Sequence, residues 1–149
     1  MKVACIGNMN NMMFTLCRYL RDNNVDAYLF IFENEPEHFS PKSDSYDSLF
    51  LRYTTYLPIS SETFLDKDRI NKTYKLLDSF DFFIGTDYAP SLLYLLNKKI
   101  DLFMPHGSDI YSIPFSQICR KGTNKTWWLK SVYYSSFLPK NGIHYSQNI

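Results

Sequence analysis

At 149 residues the chain is the size of one domain and long enough to bury a core of its own. Sixteen basic against fifteen acidic residues leave a formal net charge of +1, which supplies no field for nucleic acid. No apolar run approaches the roughly 20 residues of a membrane span, so the expected protein is soluble or at most peripheral on a membrane.

Val3 to Gly7 is a short apolar run ending in glycine, and it reads as the first strand of a parallel sheet. Asn8 to Asn11 is a polar turn. Met12, Met13, Leu16, Cys17 and Leu20 then recur at helical spacing, and the helix ends near Asp22 to Asn24. Val25 to Phe32 is the second strand, completing a β-α-β unit.

Residues 33–61 break the rhythm with Pro36, Pro41, Pro58 and many serines. They predict a long irregular connection with one helical turn around Tyr46 to Phe50, and connections of this length are typically functional. Ser61, Glu62 and Thr63 open a predicted helix to about Ser79, with Phe64, Ile70, Tyr74 and Leu77 facing inward. Asp81 to Thr86 is a third strand, Pro90 begins a helix running to Lys99, and Leu102 to Met104 is a fourth strand. Further on, Pro114 and Phe115 open a short helix, Lys121 to Asn124 turn, Thr126 to Leu138 form an aromatic helix, and Gly142 to Ser146 read as a last strand. The alternation predicts a single α/β, Rossmann-like domain over 1–149, with a parallel sheet of about five strands flanked by helices.

Cys5, Cys17 and Cys119 are far apart and form no CxxC pair. They read as reduced, buried thiols of a cytoplasmic protein, and no metal or cofactor is expected. The segment from Trp127 to Phe137 has the aromatics of a membrane-surface helix but few cations, and packing against a further domain explains it better.

The chemistry-bearing residues gather where strands leave the sheet, which is where open α/β folds bind ligands. Gly7, Asn8, Met9 and Asn10 form a candidate ligand turn, with backbone N–H groups suited to an anion. No GxGxxG or GxxxxGK[ST] accompanies it, so neither a dinucleotide nor a P-loop function has a motif behind it. Asp87 follows the third strand and is expected to cap the next helix or to meet a ligand. His106, Gly107, Ser108 and Asp109 follow the fourth. A histidine there can bind a sugar hydroxyl or phosphate, or move a proton near neutral pH. Ser-His-Asp hydrolysis is not supported: these residues are neighbours in sequence and no GxSxG elbow is present.

The start MKVACIGN, the connection ENEPEHFSPKSDSYD, the segment FDFFIGTDYAPSLLY and above all DLFMPHGSDIYSIPF resemble the N-terminal half of GT-B glycosyltransferases. The closest likeness is to the retaining group that builds bacterial polysaccharides and lipopolysaccharides. The resemblance implies two Rossmann-like domains across a cleft, the N-terminal one for the acceptor and the C-terminal one for the nucleotide-sugar donor. It implies that His106 approaches the transferred sugar and that Asp87 or Asp109 holds acceptor hydroxyls. Gly7 to Asn10 would face the donor phosphates or the acceptor, and His38 to Asp47 would line the acceptor side. The partners implied are a nucleotide sugar and a glycan or lipid-linked acceptor. The family's paired glutamates, Glu-x7-Glu, have no counterpart among Glu33, Glu35, Glu37 and Glu62. The expectation is a truncated or split enzyme, inactive alone. The alternatives are a non-catalytic Rossmann-like binding or scaffold domain, such as an inactive remnant, and, less favoured, a flavodoxin-like module.

Overall fold

The computed structural model describes residues 1–45, 47–60, 62–64 and 66–106. The expected elements from Pro114 to Ser146, together with Cys119, Gly107, Ser108, Asp109 and the cap assigned to Ser61, lie outside the described residues.

Five parallel strands form one sheet in the order β3-β2-β1-β4-β5. They are β1 (Lys2–Ile6), β2 (Asp26–Phe32), β3 (Thr54–Leu57), β4 (Phe82–Gly85) and β5 (Leu102–Phe103). Three α-helices flank them: α1 (Met12–Asp22), α2 (Lys67–Leu77) and α3 (Ala89–Leu95). The α/β Rossmann-like class read from the sequence is the observed one.

Successive side chains of a strand point to opposite faces, so a strand buried on both sides must be apolar throughout. β1 shows this directly. Val3 and Cys5 pack with Met13, Phe14 and Cys17 of α1, while Ala4 and Ile6 face the layer of α2 and α3. β2 divides the same way, with Ala27, Leu29 and Ile31 on the α1 side and Phe30 and Phe32 on the other. Phe80 closes the second layer edge-on against Phe30 and Tyr28, at ring separations of 5.1 and 5.5 Å. Cys5 and Cys17 are buried free thiols. Their mutual hydrogen bond, with burial behind it, pushes the Cys5 thiol far up, so it stays protonated and unreactive.

Three elements differ from the sequence reading. The third helix ends at Leu95 rather than Lys99, with Asn97 left-handed at φ 54°. The long connection is not wholly irregular: single 3-10 turns at Glu37–Phe39, Pro41–Ser43 and Leu49–Arg52 lead into β3, which pairs with β2 from Leu29↔Thr54 to Phe32↔Leu57. The second helix begins at Lys67, because Asp66 rather than Ser61 caps it, accepting from the N–H groups of Asp68 at 3.0 Å and Arg69 at 3.2 Å. Its inner face is Ile70, Thr73 and Leu77; Tyr74 is exposed, beside the Lys98 ammonium. Thr73 is tolerated inside because its hydroxyl donates to the Arg69 carbonyl at 2.8 Å.

Asp66→Ala is expected to remove about 1 kcal/mol of stability by leaving those two N–H groups uncapped. Asp66→Asn should retain most of it. Equal losses for the two substitutions in urea unfolding would show that the Asp66–Arg69 ion pair, not the cap, is what matters.

Candidate functional site

The strand order places a switch point between β1 and β4. From β1 the chain moves outward through β2 and β3, then returns to the other side of β1 for β4 and β5. The turns after β1 and β4 therefore leave for opposite faces, and in open α/β sheets that divergence at the carboxyl edge is where a ligand crevice forms. Gly7 and Asn8 stand on one side of it, Thr86 and Asp87 on the other, and His106 follows β5 three residues past Phe103.

Gly7 has φ +84°, and a β-carbon there would meet Thr86 Cγ2 at 2.7 Å and the Phe32 ring at 3.5 Å. Only glycine fits both the left-handed backbone and the closeness of the neighbouring turn. Its N–H donates to the Phe30 carbonyl at 2.8 Å.

Asn8 is wholly buried. Its Oδ1 accepts from the Phe14 N–H at 2.8 Å, inside the first turn of α1, and its Nδ2 donates to Asn11 Oδ1 at 2.8 Å and to the Phe39 carbonyl. Its own N–H donates to Glu35 Oε1 at 3.2 Å. The N–H groups of Gly7, Asn8, Asn11 and Phe14 are thus engaged inside the protein. Met9 is half-buried and Asn10 exposed, the latter with φ 53°, so these two form the outward part of the turn.

Asp87 is not the cap of α3. That position belongs to Tyr88, with no side-chain cap bond, and Asp87 itself adopts φ 53°, a left-handed conformation that short polar side chains tolerate. The backbone thus holds Asp87 at the crevice as part of the turn. His106 is half-buried.

The residue that sequence reasoning missed is Glu35. Two residues past β2 the chain folds back through Asn34, φ 69°, so that Glu35 Oε1 accepts from the Phe32 N–H at 3.3 Å as well as from Asn8. Oε2 is buried and has no hydrogen-bond partner among the described residues. Burial, opposed by the hydrogen bonds from the Phe32 and Asn8 amides and aided by the nearby Asp87 charge, pushes the carboxyl up to about 7. A carboxyl that titrates near neutrality at the ligand edge of an α/β sheet is suited to hold a hydroxyl or move a proton. The acidic cluster ENEPE right after β2 is the only trace of it in the sequence. Glu33, by contrast, is tied to Arg69, which also donates to the Pro58 carbonyl at 3.1 Å.

No group of three metal-ligating side chains comes together among the described residues. No helix among them is long and apolar enough to cross a membrane. A concavity of about 530 Å³ lies at the opposite edge of the sheet, around Arg18 and Arg21 of α1 and Asp26 at the start of β2. It shares no residue with the carboxyl-edge crevice. Comparison with family models, with curated proteins and with solved structures finds no match to this chain.

Proposed function

We propose that this chain is the acceptor-side domain of a retaining GT-B glycosyltransferase, and that Glu35, Asp87 and His106 form one wall of its catalytic cleft. The observation that carries the reading is the placement of two carboxylates and a histidine along the carboxyl edge of a Rossmann-like sheet, Glu35 after β2, Asp87 after β4 and His106 after β5. Carboxylates accept hydrogen bonds from vicinal hydroxyls, and a half-buried imidazole reaches a further hydroxyl; this is a polyol-binding chemistry.

The engaged turn after β1 supports the acceptor side over the donor side. Gly7, Asn8, Asn11 and Phe14 use their N–H groups internally, so this turn keeps fewer donors for a diphosphate. The donor and its leaving diphosphate would be held by a second domain. In the proposed reaction the acceptor oxygen attacks the anomeric carbon on the face from which the diphosphate departs, and the acceptor's proton passes to the departing diphosphate oxygen. Asp87 and Glu35 orient the acceptor, and His106 contacts the sugar as charge develops on it.

The test is sugar transfer to glycan and lipid-linked acceptors when the chain is combined with a domain that carries the donor contacts. His106→Ala and Asp87→Asn are each expected to lower transfer about 100-fold at unchanged thermal midpoint. Asparagine keeps the left-handed turn, so the second substitution isolates the charge. Full transfer by both variants removes this site. Nucleotide sugars added to the chain alone are expected to leave its melting temperature unchanged, since a ligand stabilises only what it binds. A marked rise would instead favour a nucleotide-binding domain.

A further inference from the structure

Beyond the ends of β2 and β3, next to the crevice, lies a cavity of about 270 Å³. Glu35, Glu37, Phe39, Ser40, Lys42 and Tyr56 line it. We propose that this cavity is the subsite for one neutral hexose ring of the acceptor, an assignment that rests on reading the carboxyl edge as the acceptor side.

The size is the first argument. Drug-sized ligands occupy roughly 300–1,000 Å³, so a cavity just below that range suits a single sugar ring. The second is the pairing of an aromatic face with hydroxyl-binding groups. Tyr56 belongs to the edge strand β3, opposite Ile31 of β2, and it is 56% exposed although it is large and aromatic. An exposed ring beside a polar cavity provides a surface for the C–H face of a pyranose. Glu37 accepts from ring hydroxyls, and Lys42 and Ser40 donate to them. Glu37 and Lys42 are exposed and take part in no ion pair among the described residues, so these two make the direct charged contacts, with the buried Glu35 carboxyl behind them.

The third argument is rigidity. The segment that forms the cavity wall is strapped to the turn after β1: Asn8 Nδ2 donates to the Phe39 carbonyl, and Asn11 Nδ2 to the His38 carbonyl at 3.5 Å. Ser40 caps the following 3-10 turn, and the Ser43 hydroxyl returns to the Glu37 carbonyl at 3.2 Å. A wall fixed before binding loses little entropy on binding. Above pH 7, where Glu35 is ionised, two carboxylates face one ammonium, and a uronate would be repelled.

Saturation-transfer NMR on the full chain at pH 8, where Glu35 is ionised, tests this with methyl hexopyranosides and a methyl uronate as probes. The expected result is transfer to the ring protons of at least one hexopyranoside, retained in Tyr56→Phe, lost in Tyr56→Ala, and absent for the uronate. Tyr56 is exposed, so both variants should fold, which the far-UV spectrum and melting temperature check. No signal for any hexopyranoside, equal signal in Tyr56→Ala, or preference for the uronate overturns the subsite. The two proposals fail separately. Sugar transfer that is indifferent to Tyr56→Ala leaves the glycosyltransferase reading standing without this subsite. Tyr56-dependent hexoside binding without transfer from any donor domain leaves a sugar-binding domain that is not part of an enzyme.

Discussion

Asn8→Ala is expected to remove about 4 kcal/mol of stability, far more than a polar residue in a turn ordinarily contributes. The side chain has no exposure and joins three segments: the start of α1 through Phe14, the turn itself through Asn11, and the strap through Phe39. Alanine leaves the buried Phe14 N–H without the acceptor that serves as its N-cap, at about 1–3 kcal/mol, and takes the donor away from both Asn11 Oδ1 and the Phe39 carbonyl, at about 1 kcal/mol each. Urea unfolding should show the loss as a lower midpoint at unchanged slope. Thr15→Ala, on the exposed side of the same helix, should move stability by less than about 0.5 kcal/mol. Hydrogen exchange gives the local signature, because the Phe14 amide should lose protection ahead of the rest of α1. A Phe14 amide as protected in the variant as in the parent would show that another group caps this helix.

Which parts of the molecule were legible in the sequence follows from how each is stabilised. β1, β2 and β4 are buried on both faces, so their apolar runs announce them without tertiary information. β3 was read as loop because it is an edge strand. Thr54, Thr55, Tyr56 and Leu57 leave only Leu57 fully buried, and Pro58 follows at once. Such a strand is specified by its ladder with β2 rather than by its own composition. The sheet has the expected five strands, but Thr54–Leu57 is one of them, and the expected strand at Gly142 to Ser146 lies outside the described residues.

The site divides along the same line. Gly7, Asp87 and His106 were readable because each directly follows an apolar run, and in a parallel sheet that position alone fixes the edge. The role of Asn8 was not readable, since an asparagine in a turn looks like a surface residue until its helix and strap are in place. Nor was that of Glu35. Its carboxyl meets the turn after β1 only because Asn34 reverses the chain, and a contact between residues 27 positions apart leaves no periodic mark. The left-handed positions at this edge fall on Gly7, Asn10, Asn11, Asn34 and Asp87. In a chain with only five glycines, asparagines at strand ends serve as the turn signal that glycine usually supplies.

Glu35→Gln is expected to make the protein more stable at pH 8 by about 3 kcal/mol and to leave it nearly unchanged at pH 4.5. Burial raises the carboxyl from about 4.5 to about 7 in the folded protein. Between those values the folded state binds more protons at this position than the unfolded state, so stability falls as pH rises. The neutral acid is accommodated fully below pH 4.5, and its advantage is lost as pH climbs through 7. Glutamine resembles the neutral acid at every pH: its carbonyl can accept from Phe32 and Asn8, and no charge faces Asp87 across the crevice. The difference between variant and parent, measured as urea unfolding free energy from pH 4.5 to 8, cancels His38, His106 and the other groups common to both. That difference should rise with pH and level off above 7. A flat difference would place Glu35 in an environment as wet as an ordinary surface carboxylate, and its candidacy as the proton-moving group at this edge would end there. A rising one means that the protein tolerates at neutral pH an ionised carboxyl it would be more stable without, and such a destabilising charge at a ligand edge is what a binding site, rather than a folding requirement, accounts for.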